Sequence, residues 1–149
     1  MNVKQSIDAF LTEPALAIVG VSRSGAKFGN VACRELRAKG YRVYPIHPGA
    51  TTIDGVRCYS RLEDLPEPVN AVLVVVPPSE AAQVVRDAAR TGIRHVWLQQ
   101  GAESTEVLAI CREVGVDVVS GECVLMFAHP TGFHKAHRWL RSLVGSVPA

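Results

Sequence analysis

The sequence predicts an α/β fold, a single three-layer domain with a five-stranded, mainly parallel sheet and helices on both faces. Three observations point there. Short apolar runs alternate with longer amphipathic stretches along most of the chain. Glycine or proline punctuates the changes from one to the other. The first apolar run also empties into a small, polar, basic loop, "GVSRSGAKFGN", which opens the next helical stretch. Strands alternating with helices favour right-handed crossovers, which place helices on both faces.

Each element has its own justification. "VKQSIDAFL" reads as a helix within residues 1–12, ahead of everything else. "ALAIVG" is short, apolar and ended by glycine, as a buried strand is. "KFGNVACRELRAKG" reads as a helix with Val31, Ala32, Cys33 and Leu36 facing inward and Gly40 as its stop. "YRVYPIHP" is a second strand closed by prolines, followed by an irregular stretch containing "GVRCY". "NAVLVVVPP" is the most apolar strand, and a helix cannot begin before its second proline. "SEAAQVVRDAARTG" is then a helix with Ser79 as its cap and Gly92 as its exit. "RHVWLQ", "STEVLAICREVG" and "VDVVSGEC" complete the pattern as strand, helix and strand. "HKAHRWLRSLVG" reads as a final helix, and residues 145–149 as a flexible tail of one domain covering 1–149.

Composition narrows the function. The chain is 48% apolar and 20% charged, as in ordinary globular proteins. No apolar run approaches the ~20 residues of a membrane helix. Asp8 and Glu13 interrupt the N-terminal stretch, so no signal peptide and a cytoplasmic location are expected. A net charge of +2 is too small to suggest nucleic acid. Cys33, Cys58, Cys111 and Cys123 lack CxxC spacing and read as free thiols, three of them in or near the core.

Parallel sheets bind ligands beyond the carboxyl ends of their strands, near the reversal of strand order. In a single Rossmann-like domain that rule selects the first loop. Gly20, Ser22 and Gly25 fall where a dinucleotide fingerprint has three glycines, and Gly29 follows four residues later. A glycine turn feeding a helix N-terminus gathers backbone N–H groups around a phosphate. Ser22, Ser24, Arg23 and Lys27 add hydroxyls and charge. A NAD site also needs an acid at the end of the second strand, about 20 residues on. Pro45, Ile46, His47, Pro48 and Gly49 stand there instead, with no carboxylate until Asp54. The loop therefore suits a phosphate-bearing ligand other than NAD.

"VGVSRSGAKFGN", "GYRVYPIHPGATTIDGVRCYSRLEDLP", "AVLVVVPP", "HVWLQQGAES" and "VVSGECVLMFAHPTGFHKAHRW" together resemble the small stand-alone CoA-binding proteins. These are similar in turn to the N-terminal CoA-binding domain of the succinyl-CoA synthetase alpha chain. The resemblance runs from about residue 13 to 145. It implies that Gly20, Val21, Ser22, Arg23, Lys27, Phe28 and Gly29 hold the CoA phosphates. It implies that Pro45, Ile46, His47 and Pro48 border the adenine and ribose. Val76, Pro77 and Pro78 would flank the adenine or the start of the pantetheine arm, with Gln99, Gln100 and Gly101 along that arm. Many members follow the second-strand turn with Lys or Arg, whereas this chain reads His47-Pro48-Gly49-Ala50. Arg23 or a neutral hydrogen bond from His47 is the available substitute for contact with the ribose 3′-phosphate.

The expected function is non-covalent binding of coenzyme A or a short acyl-CoA, in a regulatory or carrier role without catalytic residues of its own. An alternative is a subunit of an acyl-CoA ligase or transferase whose catalytic residues lie on another chain, and a third is an NAD(H) sensor. A small-molecule ligand, and either a homodimer or a partner ligase subunit, are the partners implied. Other features read more plainly. His129, His134 and His137 are expected to be surface histidines rather than metal ligands. Lys135, Arg138 and Arg141 beside Trp139 form a solvated helix face. Cys123 falls at the ligand-binding edge but reads as a buried, inert thiol rather than one that captures CoA.

Overall fold

The computed structural model describes residues 2–128. Its elements in chain order are α1 (Val3–Thr12), β1 (Ala15–Val19), α2 (Phe28–Ala38), β2 (Arg42–Ile46), β3 (Thr52–Ile53), β4 (Val56–Arg57), β5 (Ala71–Val74), α3 (Pro78–Arg90), β6 (His95–Leu98), α4 (Thr105–Val114) and β7 (Asp117–Ser120). The expected final helix, the tail, the three histidines and the basic stripe lie outside the described residues.

The main sheet has five strands in the order β2-β1-β5-β6-β7, and every pairing is parallel. Strand order therefore reverses between β1 and β5, and the loops after these two strands flank a topological switch point. Side chains alternate across the sheet with a period of two. Leu16, Ile18, Leu73, Trp97 and Val119 share one cluster with Ile7 and Phe10 of α1 and Leu36 of α2. Ala17, Val72, Val74, Val96 and Leu98 share the other with Ala81 and Val85 of α3 and Val107 and Ile110 of α4. Both faces are covered, so β1, β5 and β6 read as continuous apolar runs rather than alternating ones.

Three local expectations are corrected. Ser79 does not cap α3; Pro77 occupies that place and Pro78 the first helical position, where a residue without an N–H costs nothing. Val31 is only half-buried, and the polar Asn30 is fully buried in its stead. The stretch after β2 is not irregular throughout. It holds the antiparallel β3–β4 hairpin, and Tyr59 then pairs with Ile46 at the edge of β2.

Polar contacts lock the flanks. The Ser6 hydroxyl donates to Asp117 Oδ1 at 2.7 Å, and the other carboxylate oxygen lies 3.2 Å from His95 Nδ1, which docks α1 onto β6 and β7. Across the sheet, Arg42 donates to both oxygens of Glu67 at 2.9 and 2.8 Å, and the Tyr44 hydroxyl donates to the same carboxylate. Arg42 first, then Tyr44, holds the Glu67 carboxyl down at about 2. A carboxyl held below its ordinary 4.5 adds stability above that value and loses the contribution as pH falls towards 2. The pair is half-exposed, so screening keeps the effect modest. In urea titrations, wild-type stability should fall more steeply than that of Glu67→Gln between pH 4.5 and 2, and parallel curves would refute the linkage.

Candidate functional site

The first loop begins where β1 ends. Gly20 has φ +123°, and a Cβ there would lie 2.3 Å from the carbonyl oxygen of Val75, at the end of β5. A Cβ on Gly29, in the first turn of α2, would lie 2.3 Å from the Gly20 carbonyl oxygen. These glycines thus let α2 sit directly on the end of β1 at the switch point. Of the fingerprint-like positions, Gly29 is the one that packs helix against strand.

Lys27 is the N-cap of α2, and no side chain among the described residues caps that helix. By contrast, Asn2 caps α1 and Ser104 caps α4. The first amides of a helix have no partner within it, and they carry the positive end of its dipole. The loop itself is ordered by short contacts. Ser22 and Ser24 hydroxyls lie 2.8 Å apart, and the Gly25 N–H donates to the Ser22 carbonyl at 3.3 Å. Val21 is buried, Phe28 packs against the core, and Arg23 and Lys27 are exposed.

Arg23 reaches across to the second-strand turn and donates from Nη2 to the Gly49 carbonyl. A guanidinium therefore stands at the turn that carries no basic residue of its own. In that turn Pro45 and Ile46 are buried and Pro48 is exposed. The ring of His47 accepts the Gly49 N–H at Nδ1, 3.0 Å away, so in its neutral form the proton is on Nε2. Asp54, the next carboxylate, lies 3.0 Å from Arg34 Nη1 and 3.2 Å from Asn30 Nδ2, both on α2. It is engaged beneath the loop, not offered to a ribose.

A cleft of about 690 Å³ opens beside this turn, between Val19, Ile46 and Pro48 on one side and Ser79 and Gln83 of α3 on the other. Val76, Pro77 and Pro78 lead from β5 into α3 at the same sheet edge but do not line the cleft; the first turns of α3 do. Gln99, Gln100 and Gly101 follow β6, the strand next to β5. Gln99 is buried, and its Oε1 accepts the Val124 N–H at 3.1 Å. Gln100 is exposed, its amide 3.5 Å from the Gly121 carbonyl. Gly101 is exposed and donates to Glu103 Oε1 at 3.4 Å. The structure thus brings the first loop and second turn into contact, with the other two segments further along the edge.

Sequence reasoning missed Asn30, Asp54, Ser79 and Gln83. A polar residue three positions from Cys33, on the inner face of an amphipathic helix, was the available signal for Asn30. The thiols are largely out of play. Burial raises Cys33 to about 12 and Cys111 to about 11, and pushes Cys58 upward too. Cys123, expected to be buried, is half-exposed because the turn after β7 leaves it at the surface edge. Among the described residues, no cluster of His, Cys, Asp or Glu suits a metal ion and no helix is long and apolar enough to cross a membrane.

The sequence signature of the CoA binding domain matches residues 15–129, from the start of β1 onward. The chain belongs to the CoA-binding domain family. It is 23% identical over 129 residues to the acetate–CoA ligase [ADP-forming] II subunit alpha of Pyrococcus furiosus, covering 79% of this chain but 28% of that subunit. The solved structure of a conserved hypothetical protein from Pyrococcus furiosus is 36% identical, with a TM-score of 0.71, covering 75% of this chain and 97% of that one. The acetyl-coenzyme A synthetase 1 of Ca. Korarchaeum cryptofilum, described as dinucleotide forming, superposes with a TM-score of 0.63 at 26% identity. That match covers 71% of this chain and 25% of the synthetase. This CoA-binding domain is therefore similar both to nearly the whole of one solved chain and to a minor part of a longer ligase subunit and a longer synthetase.

Two outcomes follow from the geometry. Gly29→Ala should lower the unfolding free energy of the ligand-free protein, read from urea titrations, by about 1–3 kcal/mol as overpacked sites do; unchanged stability would show that α2 has room to move off β1. A native alkylation assay should modify Cys123 first and reach Cys33 and Cys111 only on unfolding. Equal rates at all sites would contradict the burial described.

Proposed function

We propose that this protein holds coenzyme A, or a short acyl-CoA, non-covalently at the carboxyl edge of its sheet. The observation that carries the reading is the uncapped N-terminus of α2 at the switch point, with Ser22, Arg23 and Lys27 around it. Backbone N–H groups and a helix dipole suit a diphosphate, and exposed cations add charge-assisted contacts. Gly20, Val21, Phe28 and Gly29 shape this cradle rather than donate charge. The cleft beside Ile46 and Pro48 accommodates the adenosine, with Pro45 behind it and His47 free to donate from Nε2. Arg23 at the Gly49 carbonyl stands where a ribose phosphate would meet it. Val76, Pro77 and Pro78 then turn the chain of the ligand towards Gln99, Gln100 and Gly101. A regulatory or carrier role fits a site that binds without reacting.

A second reading is favoured by one finding. The curated relatives include ligase subunits, and this chain spans under a third of the one described above. In that reading the domain presents CoA to catalytic residues on another polypeptide. Co-purification with a nucleotide-binding protein supports it, and a strictly monomeric or homodimeric protein in lysate counts against it.

The deciding experiment is calorimetric titration with CoA, dephospho-CoA and NAD under reducing conditions. Micromolar CoA binding with little NAD binding is the expected result; NAD binding without CoA binding overturns the reading. Replacing Arg23 and Lys27 together by alanine should cost roughly 1.5–3 kcal/mol per lost contact, about a hundredfold or more in CoA affinity for the pair. Retained affinity would remove both residues from the cradle.

A further inference from the structure

A set of contacts beneath the first loop has no part in the ligand reading. Asn30 is fully buried, and its carboxamide makes a reciprocal pair with the Ser22 backbone. The Ser22 N–H donates to Oδ1 at 2.9 Å, and Nδ2 donates to the Ser22 carbonyl at 2.9 Å. The same Nδ2 lies 3.2 Å from Asp54 Oδ2. Arg34, one helical turn further along α2, donates to that carboxylate at 3.0 Å and to the Gly25 carbonyl at 3.2 Å. Both ends of the loop's tight turn, Ser22 and Gly25, are thus tied to α2, and both ties converge on one carboxylate.

Asp54 arrives from the turn of the β3–β4 hairpin with φ +52°, the one non-glycine residue with positive φ among the described residues. Asp54 and Gly55, with φ +52° and +75°, form the two-residue turn that joins β3 to β4, and Asp-Gly is a favoured pair for such a turn. The turn fixes where the Asp54 carboxylate stands, within reach of Asn30 and Arg34 on α2.

We propose that Asn30, Arg34 and Asp54 are positioning residues, and that the β3–β4 hairpin is a buttress holding residues 22–25 in their ligand-accepting shape before any ligand arrives. The inference rests on the reading of this loop as the phosphate cradle. Because Asn30 takes up both the amide and the carbonyl of Ser22, the loop cannot lift off α2 without stranding a buried carboxamide. Ordering the loop in advance spares the ligand the entropy of fixing it on binding. The Asp54 carboxylate would oppose an anion above it, and Arg34 offsets that charge. Neutralising Asp54 while keeping its hydrogen-bonding shape is therefore tolerated, whereas truncating it is not.

The test uses the full chain carrying Asn30→Ala, Asp54→Ala or Asp54→Asn, with three readouts: CoA affinity, amide hydrogen exchange and urea stability. In Asp54→Ala the amides of Ser22 and Gly25 should lose protection while those of β1 and β5 keep theirs. CoA affinity should fall about tenfold or more, which is 1.4 kcal/mol per factor of ten. Asp54→Asn should restore loop protection and bring affinity to within about threefold of wild type. Unchanged loop protection in Asp54→Ala overturns the proposal, as does an affinity loss with no loosening of the loop or a failure of Asp54→Asn to rescue. Asp54 sits on an exposed hairpin, so its variants report even where Asn30→Ala does not fold. If the wild-type protein binds no CoA, the proposed function falls, and hydrogen exchange still decides whether the buttress exists.

Discussion

The structure depends on one close approach, where the first turn of α2 rests on the last peptide of β1. A helix axis ordinarily stands well clear of a strand because side chains keep the two apart. Here Gly29 lies against the Gly20 carbonyl and Gly20 against the Val75 carbonyl, so three backbone segments meet without an intervening Cβ. The contact fixes where the helix dipole points, how the chain leaves β1, and how near β5 stands to the loop. The uncapped amides of α2, the crossing of Arg23 to Gly49 and the seat for Asn30 all inherit their geometry from it.

Most of the fold was legible because it rests on periodic burial. Three parallel crossovers built from apolar strands and one-faced helices leave a pattern long enough to be read, and glycine marked their ends. What escaped has a common physical cause. A hairpin of two-residue strands has no period to detect. Ser79 looks like a cap by propensity, yet the helix has already begun at Pro78, whose fixed φ suits the first helical position and whose missing N–H would have had no partner there. Asn30 breaks the apolar face of α2 because its partners are backbone groups eight residues back, and a backbone partner leaves no trace in residue type.

The candidate site divides along similar lines. The glycine-rich loop was readable because its chemistry lies within one short segment opening a helix. The contact between that loop and the second-strand turn was not, since Arg23 and Gly49 are 26 residues apart and either could have faced solvent. Reading the turn suggested a missing cation with Arg23 or His47 as its substitute, and folding brings Arg23 of the neighbouring loop to the Gly49 carbonyl. Asp54 likewise looked like a carboxylate too far along for a ribose, and it serves the loop from below instead.

Trp97 gives the two ends of the sheet edge different mechanical characters. Its ring is fully buried, edge-on to Phe10 at 5.2 Å and tilted against Phe127 at 6.1 Å, and its indole N–H holds the Glu122 carbonyl at 3.0 Å. The turn after β7 is thereby bolted to the apolar core, and Gln99 fastens it a second time through Val124. The opposite end, around Ser22, Arg23 and Asp54, is held by hydrogen bonds and ion pairs near solvent. Apolar attachment hardly responds to salt, whereas exposed charge contacts soften as ions screen them. Apolar packing thus fastens the edge near β6 and β7, while near β1 and β2 a charged pair contributes, so added salt weakens the Arg34–Asp54 attachment and leaves that of Trp97 as it was.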